Sequence, residues 1–100
     1  MVRSLSIRWD REAIDGFQAA IEHIREDSEK SAEKVRQDIL LKINSLSTQP
    51  AKYPLDKLKI DNDGTFRALE IHHYRISYSV SDMEIIIARI RHTKMDPLPY

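Results

Sequence analysis

FRALEIHHYRISYSVSDMEIIIARIRHTKMDPLPY, residues Phe66 to Tyr100, is the stretch on which the fold turns. Apolar and polar residues alternate in three successive runs, the period-two pattern of half-buried strands, and a short tail follows that carries His92, Lys94 and Tyr100. In the middle run Ile76, Tyr78 and Val80 share one face while Arg75, Ser77 and Ser79 share the other. Ser81-Asp82 marks a tight turn. In the last run Ile86, Ala88 and Ile90 form one face, and Ile85, Ile87, Arg89 and Arg91 the opposite one. Packing the first set of each strand against the rest of the chain leaves Arg75, Arg89 and Arg91 together on the free face of the sheet. His72 and His73, read as adjacent strand residues, point to opposite faces, which argues against a shared metal ion.

The covering layer is written N-terminal to this stretch. Residues Arg3 to Trp9 alternate again, with Leu5, Ile7 and Trp9 on one side, and predict a further strand. Asp10 is placed to cap a helix, and Trp9 and Ile14 to form a hydrophobic staple across its start. From Arg11 to about Asp27 the residues Ile14, Phe17, Ala20, Ile21 and Ile24 recur at three- and four-residue steps on one helical face. After a polar hinge with serines able to cap, Ala32, Val35, Ile39, Ile43 and Leu46 repeat that stripe, with Glu33, Lys34, Arg36, Asp38 and Lys42 outward. Two such helices form an α-hairpin. Pro50, Pro54, Gly64 and the Asp61-Asn62-Asp63 run make the segment from Ser47 to Gly64 a long loop, which Tyr53, Leu55 and Leu58 could pin to the core. The expected fold is a single α+β domain, residues 1–100. A small antiparallel-rich sheet, the N-terminal strand plus a C-terminal three-stranded meander, is covered on one face by the α-helical hairpin.

Composition narrows the classes. With 41% apolar and 32% charged residues the chain has the makeup of a globular domain, and at 100 residues it can bury one modest two-layer core. Cysteine is absent, so neither disulfides nor thiolate metal sites are available, and a reducing, cytoplasmic setting is the natural one. No apolar run approaches a membrane span, and the start of the chain lacks a secretory signal. Sixteen basic residues balance sixteen acidic ones, so no global field draws the chain to nucleic acid and any anion-binding surface must be local.

The opening strand ending in Trp9 before an acidic residue, the two striped helices, the segment YRISYSV at Tyr74–Val80 and the run IIIARIRHTKMDPLPY together resemble the RelE/ParE superfamily of bacterial type II toxin–antitoxin toxins. The resemblance spans essentially the whole chain, and its loosest part is the loop at 50–64. It implies a toxin of a plasmid-stabilisation or addiction system, working without cofactor or metal and neutralised by a cognate antitoxin. One branch of the superfamily cleaves messenger RNA on the ribosome, and this metal-independent endoribonuclease activity is the first expectation for the chain; the alternative is the other branch, which poisons DNA gyrase without known catalysis. A third reading is a degenerate member kept as an antitoxin-binding module.

For the endoribonuclease (mRNA interferase) branch the resemblance implies Arg75 on the scissile phosphate, Arg91 and His92 as basic or acid–base groups at the strand end, and a terminal Tyr100 that stacks or donates a proton. Lys57 and Lys59 resemble paired lysines that contact RNA, with Arg89 beside them. Each has a plainer reading: Arg75 paired with Glu70 or Glu84, Lys57 and Lys59 solvated in a loop, His92 a lone histidine. Against the nuclease stand the neutral net charge, Tyr53 where some members carry a glutamate before Pro54-Leu55, and Asp56, Asp61 and Asp63 near the approach of substrate.

Overall fold

The structure is a computed structural model and describes residues 4–95 and 98–100. Arg3 of the expected first strand, and Asp96 and Pro97 of the tail, lie outside the described residues. The elements are β1 (Ser6–Trp9), α1 (Arg11–Asp27), α2 (Glu29–Ser45), β2 (Phe66–Ile71), β3 (Tyr74–Val80) and β4 (Glu84–His92). Two helices pack against a four-stranded mixed sheet of order β1-β4-β3-β2. The meander β2-β3-β4 is antiparallel, and β1 lies parallel to β4, Ser6 opposite Glu84 and Trp9 opposite Ile87. The expected α+β layer is thus present. No described helix is long and apolar enough to cross a membrane.

Helix α1 buries Ala20 and Ile21 of the predicted stripe together with Ala13, which that stripe did not include, while Ile14, Phe17 and Ile24 are half-buried. Asp10 occupies the position before it, but its side chain makes no capping bond. The Asp10 backbone carbonyl accepts from the Ala13 and Ile14 amides, while the carboxylate sits 3.6 Å from the Arg8 guanidinium. Trp9 meets Phe17, ring to ring at 5.5 Å, one turn beyond the expected staple partner.

A single residue, Ser28, separates the helices. Its extended backbone (φ −160°, ψ 115°) breaks the helical path, its amide donates to the Ile24 carbonyl to close α1, and its Oγ accepts from the Ser31 amide at 3.1 Å to open α2. Ser28→Ala is expected to cost about 1 kcal/mol, read as a lower urea midpoint with unchanged slope; no shift would mean that water replaces the cap fully. Along α2, Ala32, Ile39 and Ile43 are buried, as is Leu46 just beyond it.

The sheet departs from the expected alternation at one point. Pairing runs Ile76 to Ile90 and Ser77 to Arg89, then jumps to Tyr78 opposite Ile87, so Ala88 is an extra residue in β4, a β-bulge. The bulge reverses the facing of the residues before it. Ile85, Ile87 and Ile90 therefore enter the core, whereas Ile86 and Ala88, expected there, are only half-buried. Tyr74, Ile76 and Tyr78 bury on the same core side. Burial lifts the Tyr78 phenol to about 12, and its hydroxyl donates to the Pro50 carbonyl at 3.1 Å.

His72 and His73 are not strand residues, contrary to the sequence reading. Both have positive φ (51° and 68°) and form the two-residue turn joining β2 to β3. Among the described residues no group of three or more His, Cys, Asp or Glu side chains is placed to hold a metal ion.

The long loop is held by specific bonds. Asn62 donates from Nδ2 to the carbonyls of Asp56 and Phe66, and its Oδ1 accepts from the Gly64 and Phe66 amides. Gly64 supplies a φ of 97° within this knot. Pro54 to Asp56 run along the edge of β2, the Asp56 amide donating to Phe66 and the Ala68 amide to Pro54. Tyr53 packs against the core, but Leu55, expected as a second pin, is 51% exposed.

Candidate functional site

The sheet face turned away from the helices carries Glu70 on β2, Arg75 and Ser77 on β3, and Arg89 and Arg91 on β4. The register sets Glu70 opposite Arg75, Arg75 opposite Arg91, and Ser77 opposite Arg89. Arg89 stays on this face because the bulge precedes it. The Pro54–Ile60 segment and the tail at Leu98–Tyr100 lie beside these arginines, leaving a cleft of ≈ 260 Å³. Lys57, Arg75, Arg89, Arg91 and His92 line it, with Glu70 as its acidic member. Five of the seven candidate residues thus come together, while Tyr100 and Lys59 do not line the cleft.

The centre of the arrangement is a residue that sequence reasoning placed only as a negative charge near the approach of substrate. Asp56 is 1% exposed. Its Oδ1 accepts from Arg75 Nη2 at 2.7 Å and from the Leu58 amide at 3.0 Å; its Oδ2 accepts from the Tyr100 hydroxyl at 2.5 Å. Burial by itself would raise the carboxyl pKa, but the bonds from Arg75, Tyr100 and Leu58 outweigh it and hold Asp56 below the usual carboxylate range. Arg75 Nη1 also donates to Glu70 Oε2 at 3.0 Å. Desolvation works against its charge, yet the two carboxylates keep it firmly protonated. Of the plain partners expected for Arg75, Glu70 is present; Glu84 instead pairs with Arg8 at 3.1 Å.

Tyr100 is fixed from several sides. Its ring lies 3.9 Å from the Arg89 guanidinium and meets Phe66 edge-on at 6.0 Å. Its amide donates to Leu58, and its carbonyl accepts from the Ile60 amide and from Lys59 Nζ. Lys59 Nζ also approaches the Phe66 and Tyr100 rings, at 4.9 and 5.3 Å, so it holds the tail rather than facing the cleft. Burial and the bond to Asp56 push the Tyr100 phenol well above its ordinary range, so it is a poor proton donor to an outside group.

Arg89 is 5% exposed and donates to the Leu98 carbonyl. Desolvation lowers its pKa, Tyr100 pulling the other way. His92 accepts at Nδ1 from the Lys94 amide at 3.0 Å, which leaves Nε2 to carry the ring proton in the neutral form. Its ring stacks on His73 at 6.2 Å and meets Tyr74 edge-on at 5.0 Å. Chemically, the cleft offers guanidinium donors and one oriented imidazole, suited to an anion.

A family model described as "ParE toxin of type II toxin-antitoxin system, parDE" matches residues 7–97. Among solved structures, the chromosomal ParDE toxin–antitoxin system of P. aeruginosa shares the fold with a TM-score of 0.73 at 22% identity, over 92% of this chain and 99% of that one. The YoeB dimer of Staphylococcus aureus gives 0.57 at 18% identity, over 89% and 97%. The E. coli DinJ-YafQ toxin–antitoxin complex gives 0.54 at 12% identity, over 89% and 92%. No curated protein matches by sequence.

Proposed function

The chain belongs to the ParE toxin family of type II toxin–antitoxin systems, and from that premise we propose that it acts by binding a protein target without cutting RNA, DNA gyrase being the target this branch implies. The observation that carries the reading is the Asp56 network. Arg75 and Tyr100, two of the four groups needed for phosphodiester chemistry, are bonded to one buried carboxylate. A guanidinium neutralised by Asp56 and Glu70 has little charge left for a phosphorane, and a phenol held above its normal range does not protonate a leaving oxygen. Purified protein is expected to block supercoiling of relaxed plasmid by gyrase, and full supercoiling at molar excess of a folded sample would remove the proposal.

A second reading, ribosome-dependent cleavage of messenger RNA, is favoured by one feature: Lys57, Arg91 and His92 line the cleft, and no carboxylate among the described residues pairs with these three. Defined cuts in message on translating ribosomes, lost in His92→Ala, would move the assignment there. Both targets would place the toxin in the cytoplasm.

The antitoxin is the partner the family implies. We assign its docking to the groove bordered by Trp9, Ile14, Phe17, Ile21 and Leu40, where apolar side chains lie beside Arg25 and Arg36. An amphipathic segment that lays its apolar face there fits that surface.

A further inference from the structure

A second cavity, of ≈ 530 Å³, lies where α1 crosses the end of β4. Its base is the close approach of the Gly16 backbone to the Ile90 carbonyl, and Ala19, Ala20 and Met95 add aliphatic walls. At about 3.6 residues per turn, Gly16, Ala20 and His23 face the opposite way from Ile14, Phe17 and Ile21. The cavity is therefore separate from the groove assigned to the antitoxin.

Tyr74 is the telling residue. It lines the cavity and is 6% exposed, yet its hydroxyl makes no hydrogen bond with a described residue, and desolvation alone pushes the phenol above its ordinary range. Buried tyrosine hydroxyls normally find a partner, because leaving one unpaired forfeits its bonds to water. Beside it stands His92, edge-on at 5.0 Å, whose Nδ1 is taken by the Lys94 amide so that Nε2 carries the proton in the neutral ring. Arg91 and Lys94 line the same end, and among the described residues no carboxylate lines the cavity or pairs with either of them.

We propose that this cavity binds a small amphipathic carboxylate, a short fatty acid being its simplest form. The Tyr74 hydroxyl and His92 Nε2 donate to the carboxylate, Arg91 and Lys94 offset its charge, and the alkyl tail lies against Ala19, Ala20 and Ile90. Tyr74 stands opposite His92 in the β3–β4 register, so the polar groups gather at the strand end and leave the small residues of α1 as the apolar end. Mostly apolar walls with a few converging polar groups, at a volume within the usual range of about 300–1,000 Å³, are the marks of a small-molecule site. A base closed by backbone contact suits a molecule with one head and one tail; a segment of chain would have to enter and leave. Arg91, His92 and Met95 also border the cleft on the free sheet face, so a bound carboxylate offsets part of the charge presented there. The inference does not depend on which target the toxin has.

The test is an NMR titration of the full chain with hexanoate, octanoate and decanoate, octylammonium serving as the control of opposite charge. Octanoate is expected to saturate one site, with amide shifts centred on Ala20, Ile90 and Lys94. Affinity should rise roughly fourfold for each added methylene that is buried. Tyr74→Phe keeps the ring and should weaken octanoate about tenfold, the lower end for a hydrogen bond to a charged group. Lys94→Glu, at an exposed side chain, should weaken it about fivefold. Unchanged affinity in folded Tyr74→Phe overturns the proposal, as does octylammonium binding as tightly as octanoate, or no saturation with decanoate. Shifts centred on Trp9 and Phe17 overturn it too, since the acid would then prefer the antitoxin groove. Should Tyr74→Phe not fold, Ala19→Trp decides. Ala19 is exposed, so the substitution spares the core while its ring fills the cavity, and retained octanoate affinity refutes the site.

Discussion

Asp56→Ala should lower the unfolding free energy by about 3–5 kcal/mol, the range for removing one partner of a buried ion pair. The side chain is fully enclosed and its partner Arg75 is only 17% exposed, so solvent does little to soften the loss. Three donors are orphaned together: Arg75 Nη2 keeps its charge without its nearer carboxylate, and the Tyr100 hydroxyl and the Leu58 amide lose their acceptor. Urea unfolding followed by Trp9 fluorescence measures the change, and a loss under about 1 kcal/mol, the scale of a surface pair, would show that the network is not tightly coupled. The same carboxylate sets a pH dependence. Asp56 ionises more readily in the folded chain than in the unfolded one, so its contribution is complete above the unfolded value of about 3.9. It disappears as pH falls through the lower folded value. An acid titration of stability should therefore be flatter below pH about 4 in Asp56→Ala than in wild type. Equal slopes would place the acid sensitivity on other carboxylates.

Gly16→Ala is expected to destabilise the protein even though alanine is the better helix former. A Cβ at this position would lie 2.3 Å from the Ile90 carbonyl oxygen, where α1 crosses β4. Both sides of that contact are backbone, so no side-chain rotation relieves it. The propensity gain is about 1 kcal/mol, while forcing a methyl into a packed contact costs typically about 1–3 kcal/mol and sometimes more. Here the whole helix must lift, which puts the cost at the top of that range and the net loss at about 2 kcal/mol. Because Arg91 and His92 follow Ile90 directly, the shift reaches the cleft as well, and toxicity on induction should drop with stability. A variant as stable as wild type would mean that α1 slides along β4 at little cost.

Much of this architecture can be read from the chain. The stripes at Ile14 to Ile24 and Ala32 to Leu46 specify both helices with their lengths, since apolar residues at three- and four-residue steps over several turns fall on one face only if the backbone is helical. The placing of Arg75, Arg89 and Arg91 on one face also follows from alternation. The bulge does not. Ile85, Ile86 and Ile87 are interchangeable as far as pattern goes, so nothing local shows that Ala88 is the unpaired residue or which isoleucines turn inward. Asp56 is hidden for a different reason. Its partners lie 19 and 44 residues away in the chain, and a loop aspartate beside two lysines reads as solvated. The available signal was the pairing requirement itself: three arginines on one sheet face need acidic company, and Glu70 alone cannot supply it. His72 and His73 escaped because left-handed turn positions announce themselves as glycine or asparagine, and neither is present.

The parallel pairing of β1 with β4 has a consequence for how the molecule is made. β4 lies between β1 and β3, so the sheet's inner partner for both is also the last described strand to leave the ribosome. Until Glu84–His92 emerges, β1 has no neighbour and the apolar stripe of α1 has no sheet beneath it. Such long-range pairing places folding in the slower class of small domains. A nascent chain halted before β4 consequently lacks the strand that joins β1 to the meander, and its sheet cannot be completed.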